Sequence, residues 1–305
     1  MRLDPQAIMN SRLGVGLALG MARSFPPWAG YRIAQFAADV VASRKSWGLV
    51  QAVRANQWAV HGGKLTETGL NRAVRETFRN TAHCIYDLYH YIHDQNQLLE
   101  MIEFDATSLG IIQRSKREDS GLIIVGVHSC GFDVVMQGAS LRGLEALVIT
   151  LPQLNPGYQW QTEMRERVGM KIQPASVSTL HEAVRRLRNG GTVLTGLDRP
   201  IQGLKYRPKF FGRAASLPVH YIQLALKAKV PVRVATALLC PDGSYTFLIS
   251  DPIDMLPYSD RDEEIMTNAD RVLKVAEGMI CRCPDQWAMF YPVWENALEE
   301  GSRKT

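Results

Sequence analysis

The sequence predicts an α/β fold: a mostly parallel central sheet flanked by helices, with a helical region at the N-terminal side. Three observations carry this. From about residue 121 onward, short apolar runs alternate with amphipathic stretches, the rhythm of strand–helix–strand units. The run at 122–127 (Leu-Ile-Ile-Val-Gly-Val) is apolar throughout rather than at every second residue, as expected of a strand buried on both faces. Before residue 100 the apolar residues recur at helical steps and strand-like runs are lacking.

Taken in order, residues 1–100 read as a helical N-terminal region and 101–298 as one α/β domain. Near residues 10–40, small apolar and aromatic residues (Trp28, Tyr31, Ile33, Phe36) mix with Arg23 and Arg32. That texture fits a helix lying in a membrane interface, or equally a helical pair buried inside the protein. The run 13–22 is too short to span a bilayer. Between 68 and 92, Leu70, Val74, Phe78, Ala82, Ile85, Leu88 and Ile92 line one helical face. Strands are expected at 122–127, 144–150, 192–197, 230–239 and 245–249, the last two separated by the turn residues Pro241-Asp242-Gly243. Helices are expected at 179–188, closed by Asn189-Gly190-Gly191, at 216–227 and at 260–280. The tail after Glu299 reads as frayed.

The apolar fraction of 46% and charged fraction of 21% are those of a folded chain and exclude a disordered one. A formal net charge of +5 favours an anionic partner without choosing among phospholipid, nucleic acid and acidic substrate. The five cysteines are odd in number and no signal peptide pattern precedes them, so a reducing compartment is expected. Cys281-Arg282-Cys283 lacks a second ligand pair at zinc spacing.

The sharpest chemical feature is Val127-His128-Ser129-Cys130-Gly131-Phe132-Asp133. It places a histidine at the exit of a core strand, where α/β folds carry their reactive groups. Asp133 opens the next helix. A carboxylate five residues on can fold back and accept from one imidazole nitrogen, which fixes the tautomer and leaves the other nitrogen as a proton acceptor. Such a pair suits acyl transfer from a thioester, which is already activated and needs only a deprotonated acceptor and a stabilised oxyanion.

Read as a whole, the stretch resembles the lysophospholipid acyltransferase superfamily, and within it the branch of lipid A late acyltransferases and phosphatidylinositol mannoside acyltransferases. His128 and Asp133 match its H-x4-D/E motif. Arg54-Ala55-Asn56, Asn155-Pro156, Arg165-Glu166-Arg167-Val168-Gly169, Asp198-Arg199, Phe210-Phe211-Gly212 and Pro284-Asp285-Gln286-Trp287 are similar to further blocks of that branch, in the same order. The H-x-G-N-W-E form is here His-Ser-Cys-Gly-Phe-Asp and the D-Q segment is Asp-Arg, departures that leave the acceptor open.

The resemblance implies His128 as general base with Asp133 as its orienting partner. It implies Arg165, with Arg167 as the second candidate, at a phosphate or oxyanion. Asp198 and Arg199 line the cleft or form a structural ion pair. Phe210, Phe211 and Gly212 form a packing and turn element, or a wall for the acyl chain. The expected reaction moves a fatty acyl group from acyl-CoA or acyl-carrier protein to a lipid or glycolipid acceptor. Neither metal nor organic cofactor takes part, and no nucleic acid. The protein would sit peripherally or monotopically at the cytoplasmic face of the cell membrane. The rival is a non-catalytic lipid-binding protein of the same fold.

Other groupings weigh less. His83, His90 and His93 share a helical face near Asp87 and Asp94 but lack an H-E-x-x-H pattern, and read as a solvated or membrane-facing stripe. Gly14, Gly16 and Gly20 miss the dinucleotide spacing. Cys130 has no nucleophile elbow around it. The basic run Lys205-Tyr206-Arg207-Pro208-Lys209 fits a phospholipid headgroup better than nucleic acid.

Overall fold

A computed structural model describes residues 20, 24–117, 120–152, 162–163, 165–167, 169–294 and 297. Gly14, Gly16, most of the stretch 13–22, Asn155-Pro156, Val168 and the tail after Glu299 lie outside the described residues.

Among the described residues, four helices with defined bounds precede the sheet: α1 (Pro27–Ser43), α2 (Gly48–Val60), α3 (Glu67–His90) and the short α4 (Gln95–Glu100). Pro27 starts α1, where its missing N–H costs nothing. Thr66 caps α3 by accepting from the Gly69 N–H. The face expected from the apolar spacing is the packed one, with Leu70, Val74 and Phe78 buried. Helix α1 lies close on α3 because Gly30 has no side chain; a Cβ there would meet the Tyr86 ring at 2.1 Å.

The rest is an α/β layer: β1 (Ile102–Phe104), α5 (Ala106–Arg117), β2 (Leu122–Gly126), α6 (Phe132–Leu141), β3 (Ala146–Thr150), β4 (Lys171–Pro174), α7 (Val177–Arg188), β5 (Thr192–Gly196), α8 (His220–Ala228), β8 (Val232–Leu239), β9 (Tyr245–Ile249) and α9 (Arg261–Ile280), with the hairpin β6 (Lys209–Phe210) and β7 (Arg213–Ala214) between β5 and α8. Among the described residues, seven strands form one sheet in the order β1-β9-β8-β2-β5-β3-β4. All neighbours are parallel except β8 with β9. Helix α8 begins at His220 rather than at 216 because Pro218 disfavours helical backbone in the residue before it. The strands of the seven-stranded sheet that the sequence did not announce, β1 and β4, are short and at the two sheet edges; β4 (Lys-Ile-Gln-Pro) has none of the apolar run of a central strand.

The central strands bury both faces. Ile123, Val125, Val127, Val193 and Leu197 pack towards α7, α8 and α9. Ile124, Leu194, Ala235 and Ala237 pack towards α6, α5 and Cys84 of α3. Because β2 connects through α6 to β3 on one side while β5 leads to β8 on the other, the connections diverge at the carboxyl ends of β2 and β5. Doubly wound sheets open a crevice at such a point.

Candidate active site

Strands β2 and β5 run parallel with Gly126 opposite Gly196. Two residues further on, the two chains therefore bring His128 and Asp198 side by side at the crevice. Asp198 Oδ1 accepts from His128 Nδ1 at 2.5 Å. Asp198 Oδ2 accepts from the His128 backbone N–H at 3.0 Å and from the Trp287 indole Nε1–H at 2.7 Å. The carboxylate is fully buried while the imidazole side chain is 42% exposed, with Nδ1 occupied by the carboxylate. Gly196 makes room for the ring: a Cβ there would stand 2.9 Å from His128 Cε1.

This corrects the expected pairing. Asp133, in the first turn of α6, does not hold the imidazole; both its oxygens accept from Arg165, Oδ1 from Nε at 3.0 Å and Oδ2 from Nη2 at 2.8 Å. The bidentate fork matches a carboxylate's shape, and strand register rather than sequence spacing decides which aspartate lies beside Nδ1. Burial draws the His128 pKa downward and Arg199 does so too. The charge and hydrogen bond of Asp198, with a further contribution from Asp133, outweigh them and hold it above the ordinary value.

The loop carrying His128 is fastened by the closing segment of the chain. The His128 carbonyl accepts from Ala288 N–H at 2.8 Å and the Cys130 N–H donates to the Gln286 carbonyl at 2.9 Å. Ser129 Oγ accepts from Ala237 N–H. Gln286 spans to Leu239, accepting from its N–H and donating to its carbonyl. Helix α2 holds the same segment: Asn56 Nδ2 donates to the Met289 and Tyr291 carbonyls, its Oδ1 accepts from Val293 N–H, and Gln57 donates to the Pro284 carbonyl. The R-x-N and P-D-Q-W blocks are thus parts of one brace around the histidine. Sequence reasoning registered those blocks without a task for them, and missed that Trp287 touches Asp198.

The remaining candidates divide. Arg165 reaches the site through Asp133, whereas Arg167 is exposed. Arg199 follows Asp198 and is half-buried, its Nη2 donating to the Tyr291 hydroxyl at 3.0 Å and its guanidinium lying 4.4 Å from that ring's centre. Phe210 is fully buried. Phe211 and Gly212 form the turn of the β6–β7 hairpin with φ of 50° and 72°, the two positive values of a type I′ turn. The Phe211 N–H donates to Glu277, and the two phenylalanine rings pack with Trp287 and Trp294.

Two expectations outside the crevice change. The three histidines are not a uniform solvated stripe on one helical face: His83 stacks on Tyr31 at 4.3 Å, His90 ends α3 and stacks on Tyr86, and His93 lies in the turn beyond the helix, exposed. Asp87 between them is fully buried and accepts from Tyr31 and Tyr245. The basic run at 205–209 is tied to α9, since Lys205 and Tyr206 both bond Asp262 and the Lys209 N–H donates to Asp270. Cys130 lies against Cys84, whose thiol burial pushes well up. Among the described residues, no group of three or more His, Cys, Asp or Glu is arranged to hold a metal ion, and no helix is long and apolar enough to cross a membrane.

A histidine braced by a buried carboxylate, at the carboxyl ends of a doubly wound sheet, is a site for proton abstraction. The family model for bacterial lipid A biosynthesis acyltransferases matches residues 6–296, and the chain belongs to that family. It is an acyltransferase of lipid biosynthesis, acting with an acyl donor on a lipid acceptor. No curated protein matches the chain.

Proposed function

We propose that the protein transfers a fatty acyl group from the thioester of acyl-CoA or acyl-carrier protein to a hydroxyl of a lysophospholipid or glycolipid, with His128 as general base. The observation that carries this reading is the hydrogen bond between His128 Nδ1 and buried Asp198, paired with an imidazole 42% exposed in the crevice. An ionised carboxylate only accepts, so Nδ1 carries the proton and Nε2 holds the lone pair. Nε2 takes the proton of the acceptor hydroxyl as its oxygen attacks the thioester carbonyl. The tetrahedral intermediate collapses with cleavage of the C–S bond, and the imidazolium returns its proton to the departing thiolate. The thioester is its own activated acyl group, so the step needs neither metal nor organic cofactor.

Asp133 acts by holding Arg165, and Arg165 and Arg199 provide the positive charge at the mouth for a phosphate or the developing oxyanion. The amino end of α6, which starts four residues after His128, adds the positive end of a helix dipole. The aromatic group around Phe210 and Phe211 gives an apolar wall suited to the acyl chain. The protein works peripherally or monotopically at the cytoplasmic face of the membrane. In support, Trp28, Phe36 and Val40, with Arg32 among them, recur at four-residue steps on α1, all exposed, as on helices that lie in a lipid interface.

Comparative lipid mass spectrometry on cells expressing wild type or His128→Ala at matched level tests the reading. A lipid that gains one acyl chain only with wild type identifies the acceptor and the base together. Identical profiles, in a host holding candidate acceptors, overturn the catalytic assignment.

A further inference from the structure

We propose that Trp287 is a positioning residue for His128, its indole N–H pinning the Asp198 carboxylate so that the other oxygen stays aimed at Nδ1. The inference rests on the reading of His128 as the base. A buried carboxylate is held by the donors around it, and three N–H groups meet Asp198. Oδ1 serves the imidazole, while Oδ2 takes both the His128 backbone N–H and Trp287 Nε1–H. With Oδ2 fixed from two directions the carboxylate cannot turn about its own axis. Trp287 is itself immobile: it is 2% exposed, its backbone bridges Ser129, and Phe210 and Phe211 lie 5.9 and 6.4 Å from its ring.

Trp294, in the same aromatic group, supplies the contrast. Its indole nitrogen is buried with no hydrogen-bond partner among the described residues. Packing in this group therefore does not require an acceptor for the N–H, and the bond from Trp287 to Asp198 is an addition to packing. It draws negative charge away from Nδ1 and so tempers the proton affinity that Asp198 confers on the imidazole. The other charged or titratable groups facing the pair are Arg199 after β5, Asp133 of α6 with its partner Arg165, and Tyr221 of α8.

Two variants of the full chain test this: Trp287→Phe, and replacement of Trp287 by benzothienylalanine, which keeps the bicyclic shape and puts sulfur in place of N–H. The readouts are the His128 imidazole titration, followed by NMR with labelled histidine and assigned by its loss in His128→Ala, and the pH profile of acyl transfer. In both variants the His128 midpoint is expected to rise by about one pH unit, a tenfold change in proton affinity. The acid limb of activity should move with it, with kcat falling and KM unchanged. A benzothienylalanine protein that titrates and turns over as wild type does overturns the proposal and reduces Trp287 to packing. Should the midpoint move in both variants while transfer survives His128→Ala, the base assignment fails instead, and the role of Trp287 in catalysis fails with it.

Discussion

His128 and Asp198 form a coupled pair whose pH behaviour follows from its surroundings. The carboxylate raises the imidazole above its ordinary value against the opposing pull of burial. Replacing Asp198 by Asn removes the larger raising charge and leaves burial and Arg199 opposed by Asp133 alone, so the midpoint should fall and the acid limb of kcat/KM should move to lower pH. The maximal rate should drop by about 10² to 10⁴, because the productive tautomer is no longer fixed. Linkage has the matching sign. With the folded pKa raised, the pair's stabilisation is fully present below the ordinary histidine value and fades as pH rises through the folded one. Denaturation should therefore show Asp198→Asn costing more stability at pH 6 than at pH 9. An acid limb that stays in place would remove Asp198 from the role given to it.

At the scale of elements, the site depends on helix α2 holding the closing segment 284–293. Asn56 makes three hydrogen bonds to that segment, two of them buried and one part-buried. Cutting it to Ala leaves two carbonyls and one N–H without partners, at a cost of about 3 kcal/mol. Urea unfolding should show this as a lower midpoint. Transfer activity should fall as well, although Asn56 touches no reacting group, because the segment carries Trp287 and Ala288 against the Asp198–His128 pair. Full activity in a destabilised Asn56→Ala protein would show that the segment is anchored well enough without α2.

For the whole molecule, the proposed membrane contact would use Trp28 and Phe36 of α1, 69% and 71% exposed, on a chain of net charge +5. Sedimentation with vesicles of anionic phospholipid should detect binding that weakens with added salt. The double variant Trp28→Ala/Phe36→Ala should lower it by about tenfold to a hundredfold, given the apolar area withdrawn from the interface. The variant should unfold much as wild type does, since these rings cover no core. Unchanged vesicle binding would assign α1 to another surface of contact.

The pattern of residues by itself determined the α/β class, the helical N-terminal region and the order of the central strands along the chain. Buried strands and amphipathic helices leave distinct apolar periods, and those periods are local. It also singled out His128, because a histidine next to a glycine turn at the end of an apolar run is a local feature too. The edge strands β1 and β4 and the β6–β7 hairpin escaped notice, being too short to show a period. Tertiary structure alone decided the partner of the histidine. Asp133 lies five residues away in sequence, Asp198 seventy, and only the in-register pairing of β2 with β5 makes the distant carboxylate the neighbour and frees the near one for Arg165. Trp287 and Asn56 are placed by the same rule: they serve the site through contacts between segments far apart in the chain, and no spacing along the sequence encodes such a meeting.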